Sequence, residues 1–396
     1  HGVPKNIFAS PDRPYSFDGW VKTGGSGVVS FADSTDRSTQ VTVTGGNATI
    51  EAQFKVTTYS LVKRGNLYLN VVGYIETAYD IEVDGDYVYL AGQSTSNEGT
   101  IMRIDVTNKF TPSVSLFNKD TISGSTGRVR GIAMDSAYIY AADYYNGFYR
   151  FNKSDLSVDD SSASYDLVDV ALHGSSSSFA LGLSRNDRVV SYYLGSSVSS
   201  GSYVDLPGGG NRIQTVGGYA FVTAANAGGD YGEFHSIDAS DPYSQGAMSI
   251  LDTVSAPQSG GLGDQPGNFL VYDSEYAYLA SSNDALTHLW VDDPSSLPAV
   301  TDLSMSSNGP VALDSVYLSD SNTYSKELLV TASADNGGSY SIVDIATWSN
   351  PQVVGTTAAT YDGPEVMVVD GYYVYAYEDA GGATDQFVVY EIVVDP

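Results

Sequence analysis

One pattern returns along most of the chain: an apolar stretch, a short polar turn and an aromatic strand. It reads "IEVDGDYVYLAG" from Ile81, "IAMDSAYIYAAD" from Ile132, "IQTVGGYAFVTA" from Ile213, "FLVYDSEYAYLA" from Phe269 and "VMVVDGYYVYAY" from Val366. A second signature follows it, an apolar strand ending in Asp, a polar turn and another apolar strand. Examples are "SIVDIATWSNPQVVG" from Ser341, "IMRIDVTNKFTPSVSLF" from Ile101, "FHSIDASDPYSQGAMSI" from Phe234 and "HLWVDDPSSLPAVTDL" from His288, with the degenerate "FYRFNKSDLSVDD" from Phe148. Anchored on the aromatic strand, seven units start near Tyr87, Tyr138, Phe179, Tyr219, Tyr276, Leu328 and Tyr373, spaced by 51, 41, 40, 57, 52 and 45 residues. Four strands in such a unit cannot bury their own faces and must stack on neighbours, which is the logic of propeller blades. Asp-Gly and Gly-Gly between alternating strands are tight-hairpin turns.

The last unit has three strands before the chain stops, so its fourth must come from elsewhere. "GNLYLNVVG", Gly65 to Gly73, precedes the first full unit and resembles the outer strands "PSVSLFNKD" and "PQVVGTTA". It is expected to close the last blade and remove the exposed edges that invite aggregation. The predicted fold is all-β, a seven-bladed β-propeller over 65–396 closed by a strand from its N-terminal side. Residues 1–64 do not fit the period and read as a small β-rich appendage, with three or so strands in "GVVSFADSTDRSTQVTVTGGNATIEAQFKV" and an irregular "HGVPKNIFASPDRP" before them. This arm either packs on the propeller or serves assembly.

Composition narrows the setting. With no cysteine, disulfides and thiolate metal sites are excluded. No window approaches the roughly 18 uninterrupted apolar residues of a membrane helix, so direct insertion is not expected. The net charge of −29 argues against nucleic acid, whose phosphates would be repelled. Residues 213–396 hold 25 acids and one base, Lys326, against 22 acids and 17 bases in 1–212. Such acidity fits a halophilic or marine surface protein, or a face for cationic partners. His1 in place of Met suggests a processed leader. The sequons at Asn47 and Asn152 agree with an extracellular location, on a cell or virion surface.

"YSIVDIATWSNPQVVG" after "LLVTASADNGG" resembles the LVIVD-type repeat of secreted bacterial and archaeal β-propellers, in which a strand ending in Val-Asp precedes a Ser/Asn-Pro turn. The resemblance spans roughly 66–396. It implies a propeller at or outside the cell surface and no single activity, since one fold hosts many functions.

No nucleophile elbow, phosphate loop or complete calcium loop is present. The four histidines are too scattered for a metal-ligand spacing; His1, whose free amine and imidazole can chelate copper, lacks the second histidine nearby in sequence that this needs. Asp-rich turns at Asp84–Asp86 and Ser333–Gly338 are candidate weak calcium sites or ordinary turn chemistry. Alignment of the units places Asp80, Arg130, Asp169, Arg212, Asn268, Asp314 and Glu365 at the channel mouth, as a site for a sugar or small polar ligand. Tyr144, Tyr145, Tyr192, Tyr193 and Tyr231 lie in or near connections and suit contact with proteins or surface glycans. The expected function is a non-enzymatic surface or virion component presenting a propeller for adhesion, receptor binding or assembly. The alternatives are a carbohydrate-active enzyme working with acids such as Asp169 and Glu365, and a calcium or small-ligand scaffold.

Overall fold

The computed structural model describes residues 2–9, 15–69, 75–118, 127–173, 178–225, 232–244, 246–256, 269–272, 275–281, 285–299, 301–304, 312–318, 326–333, 338–345, 351–359, 364–379 and 385–395. Among them there is no helix; every regular element is a strand. Seven four-stranded antiparallel sheets, here blades 1 to 7, follow one another. Their innermost strands are Ile75–Asp84, Val129–Met134, Leu167–Leu172, Gly210–Val216, Phe269–Tyr272, Ala312–Leu318 and Pro364–Asp370. Each packs beside the next, and the seventh returns to the first. The sheets therefore form a closed ring, a β-propeller.

The repeat explains the blade. In blades 1, 4 and 7 the apolar stretch and the aromatic strand join through two-residue turns in which Gly85, Gly217 and Gly371 carry positive φ (59°, 59° and 56°). The second central residue does not share it, which is the II′ arrangement with Gly first, suited to the twist of paired strands. The aromatic second strand is apolar throughout because both of its faces are covered. Val88 and Leu90 pack toward Tyr375, Tyr377 and Phe387 of blade 7, whereas Tyr89 and Ala91 pack toward Ile139, Ala141 and Phe151 of blade 2. Alternation along one strand thus divides its side chains between two interfaces. Seven hydrophobic clusters result, one between each adjacent pair of blades. Each buried Leu, Val or Phe side chain contributes about 1.5–3 kcal/mol. Outer strands such as Val158–Ser162 alternate between half-buried and exposed, as edges with one solvated face should.

The aspartate ending the third strand holds the following turn. Asp105 accepts Thr107 N–H at 2.9 Å, and Asp238 accepts Ser240 N–H at 2.9 Å and Ser240 O–H at 2.6 Å. In the hairpin at His288, Asp293 receives Ser295 in the same way. The repeated Asp is therefore local turn chemistry. The corresponding turn at 346–350 lies outside the described residues.

The last blade is closed from the N-terminal side, but earlier in the chain than Gly65–Gly73. Thr58–Tyr68 pairs antiparallel with Gln386–Asp395, from Thr58 opposite Asp395 to Tyr68 opposite Gln386. The strand thus straddles the expected boundary at 64/65. Tyr59 and Leu61 belong to the core shared by blades 6 and 7. A bulge places both Gly65–Val389 and Lys63–Tyr390 in register and leaves Arg64 over, its Nε 2.5 Å from Glu391.

The N-terminal region holds five strands. Lys5–Phe8 and Val28–Phe31 flank Ser38–Thr44 in one sheet, and Tyr15–Gly24 pairs with Thr49–Val56 in another. Lys5–Phe8 falls in the stretch expected to be irregular; it is ordered as a strand because Ser38–Val41 offers it an edge.

Candidate functional site

The inner strands of blades 1–4, 6 and 7 enclose a cavity of about 700 Å³ in the central channel. Arg212 spans the channel at the end where those strands begin. From blade 4, its Nη2 donates to Tyr79 O of blade 1 at 2.7 Å; its Nη1 lies 3.3 Å from Asp80 Oδ1 and 3.4 Å from Asp169 Oδ1 of blade 3. The second oxygen of each aspartate ties the next blade. Asp80 Oδ2 accepts Ile132 N–H at 2.7 Å, and Asp169 Oδ2 accepts Ile213 N–H at 2.8 Å. Asp314 repeats the device, accepting Val369 N–H at 2.7 Å. This close approach explains Gly131, where a Cβ would stand 2.1 Å from Asp169 Oδ1.

Electrostatics follow from one buried cation among four acids. Burial pushes the Asp80 and Asp169 carboxyls up against the pull of Arg212, which serves both. Burial works against the charge on Arg212, yet the two aspartates hold its pKa above the ordinary value. Burial raises Asp314 to about 6, opposed by its backbone hydrogen bonds. Glu82 is pushed well above the carboxylate range by burial and then by Asp80, Asp314 and Asp169. At the other end Lys153 Nζ bonds Asp84 Oδ2 at 2.5 Å and Asp135 O at 2.9 Å, joining blades 1 and 2.

Of the seven residues expected at the mouth, the structure brings Asp80, Asp169 and Arg212 together as a brace, with Asp314 in the same cavity. Arg130 lies outside the cavity lining, its guanidinium 5.1 Å from the Tyr79 ring and 5.0 Å from that of Tyr144. Glu365 does not line the cavity either; burial, with Asp379 and Asp385 nearby, raises it to about 7. The acid pair Asp169 and Glu365 therefore does not share one cavity. Asn268, Tyr231 and His1 lie outside the described residues, as do 334–337 of the Asp-rich turn. Glu82 was legible as the residue two beyond Asp80 on the same strand face. Tyr192 is no connection residue: it is fully buried and stacked on Phe148 at 4.4 Å because its strand faces blade 2.

His173 and His235 serve structure. His173 Nε2 lies 2.8 Å from Ala239 O, and His235 Nδ1 lies 2.8 Å from Thr253 Oγ1, with burial lowering the His235 pKa to about 4. Among the described residues no group of three or more His, Asp or Glu side chains is placed to hold a metal ion.

Two solved structures with this architecture are WD40 domains. The Neurospora crassa Pan2 WD40 domain superposes with a TM-score of 0.59 at 9% identity, covering 84% of this chain and 95% of its own. The WD40 β-propeller domain of Doa1 gives 0.56 at 8%, covering 84% and 97%. The fold is a β-propeller. At such identity the likeness extends to the fold alone. Residues 1–58 match the family model of the divergent InlB B-repeat domain, and that match ends where the closing strand of the propeller begins. No curated protein matches the sequence.

Proposed function

We propose that the chain is a non-enzymatic binding protein of an extracellular cell or virion surface, presenting its propeller to other proteins or surface glycans for adhesion, receptor binding or assembly. The observation that carries this reading is the brace. Asp80, Asp169 and Asp314 are engaged with backbone amides of neighbouring blades, and Arg212 links the first two, so these four ionisable groups of the channel hold the ring together. What remains for recognition is the outer faces, a common role for propellers. Kinship with the LVIVD repeat, a salt-adapted surface and assembly through the N-terminal strands belong to the same reading. They rest on the motif at 340–355 and the −29 charge.

The test is binding of the purified protein to intact cells, glycan arrays and immobilised surface proteins, beside turnover assays on polysaccharides. Saturable binding without turnover is expected. Turnover that Asp169→Asn abolishes, in a variant that still melts cooperatively, would replace this reading with an enzymatic one. A calcium role at the Asp-rich turns predicts a lower melting temperature in chelator.

A further inference from the structure

On the propeller face where the inner strands end, six of the seven second strands begin with an aromatic residue: Tyr87, Tyr138, Phe179, Tyr219, Tyr276 and Tyr373. Five of these rings are covered by another group. Arg103 lies 4.5 Å over Tyr87, Arg150 4.9 Å over Tyr138 and Lys109 5.2 Å over Tyr373. Tyr193 and Tyr243 meet Phe179 at 5.5 and 6.2 Å, and Trp290 meets Tyr276 at 5.0 Å. Tyr219 is the exception. It is 40% exposed, and among the described residues neither a ring nor a cation lies against it. Instead it walls a pocket of about 310 Å³ at the junction of blades 4 and 5, with Val216, Phe221, Val291, Asp292 and Pro294.

The arginines of blades 1 and 2 show what such a space accommodates. Arg103 stands opposite Tyr89 and Arg150 opposite Tyr140, in each case two residues beyond the covered ring. Each guanidinium also reaches the turn between the third and fourth strands of the next blade. Arg103 Nη1 donates to Lys153 O at 3.1 Å; Arg150 Nη1 donates to Gly195 O at 2.8 Å, and its Nε to Asp159 Oδ2 at 2.6 Å. In blade 4 the residue in this register is Ser236, opposite Phe221. Its hydroxyl bonds Pro294 O in the corresponding turn of blade 5, but a serine is too short to lie over Tyr219. The ring, the turn and a carboxylate are thus in place without the cation. The surrounding chain has none to offer, since residues 213–325 hold 14 acids and no Lys or Arg. Asp292 is exposed and makes no ion pair among the described residues.

We propose that the pocket at the junction of blades 4 and 5 takes an arginine side chain of a partner protein. Tyr219 supplies a ring for the guanidinium, Asp292 a carboxylate for its charge, and Val216, Phe221 and Val291 an apolar wall for its methylene stem. Arginine is favoured over lysine because its planar head both stacks and donates in its own plane. A volume of about 310 Å³ lies at the lower end of ligand pockets, which suits one long side chain. The acid-rich blades draw a basic segment toward this face and repel an acidic one. The inference rests on the binding reading above and names the partner as a protein with an exposed arginine.

The experiment is ligand-observed NMR of the full chain with N-acetylarginine amide, its uncharged isostere N-acetylcitrulline amide, and N-acetylleucine amide. Saturable binding of the arginine probe at about millimolar concentration is expected. It should weaken about threefold or more in Tyr219→Ala and about twofold or more in Asp292→Asn, persist in Tyr219→Phe, and fall with added salt. Both positions are exposed, so the variants keep the fold. Equal binding of the citrulline or leucine probe, arginine binding unchanged in either weakening variant, or no saturable binding up to about 50 mM would overturn the proposal. Absent arginine binding while cell or partner binding persists defeats this site alone. Arginine binding that Tyr219→Ala weakens, without any macromolecular partner, supports the site and defeats the broader reading.

Discussion

Some buried carboxylates in this propeller are tied to hydroxyl groups rather than to a cation. Glu378 is fully buried and accepts Tyr340 O–H at 2.9 Å and Tyr390 O–H at 2.7 Å on one oxygen. Glu378→Ala leaves both hydroxyls without an acceptor and opens a cavity between blades 6 and 7. It should destabilise by about 2–5 kcal/mol in denaturant unfolding, with Glu378→Gln, which keeps an acceptor, costing less. Arg212→Met removes the one cation serving two buried aspartates and should cost about 3–5 kcal/mol near pH 8. The loss should shrink toward pH 5, because Asp169, raised by burial to about 7, then takes up a proton. The aspartates of the repeat were readable as turn formers from their Ser and Thr neighbours. The brace was not, because Asp80 and Arg212 are separated by three blade interfaces and nothing in either local pattern names the other.

At the scale of elements, the sequence period and the hairpin turns carried the blades, since a doubly covered second strand must be apolar and aromatic. The closing strand was legible in kind and misplaced in position. "LVKRGNLYL" interrupts the alternation with Lys63 and Arg64, which reads as a break. In the sheet that break is a bulge at Val389 and Tyr390, with Arg64 turned to Glu391. The same strand is pressed against blade 6: a Cβ on Gly355 would stand 2.0 Å from Tyr59 O. Gly355→Ala should therefore lower stability by about 1–3 kcal/mol although it adds a single methyl group. Chemical denaturation reads it directly, and a neutral result would mean that the strand does not seat where the structure puts it.

The molecule as a whole should respond to pH in a definite direction. Asp314 at about 6 and Glu365 at about 7 have folded-state pKa values raised above their unfolded ones. The native state then binds more protons, so their contribution falls as pH rises from about 4 to 7. His235, lowered to about 4, acts oppositely and loses stability as pH drops through 6.5 to 4. Turn aspartates held below the usual range, such as Asp105 and Asp238, lose theirs at still lower pH. The acids outnumber the histidine, because Glu82, Asp80 and Asp169 shift the same way. The melting temperature should rise from pH 8 to a maximum at about pH 5, and Asp314→Asn should flatten the rise. Sequence alone could indicate an acidic propeller, but not a ligand.

The ring is closed by Thr58–Tyr68. Calorimetry of the full chain beside chains starting at residue 58 and at residue 70 tests it most directly. The chain from 58 should keep the cooperative propeller transition within a few degrees, and the chain from 70 should lose it or melt well over about 10 °C lower, as expected when a core strand is removed. Equal melting of the two truncations would contradict the closure.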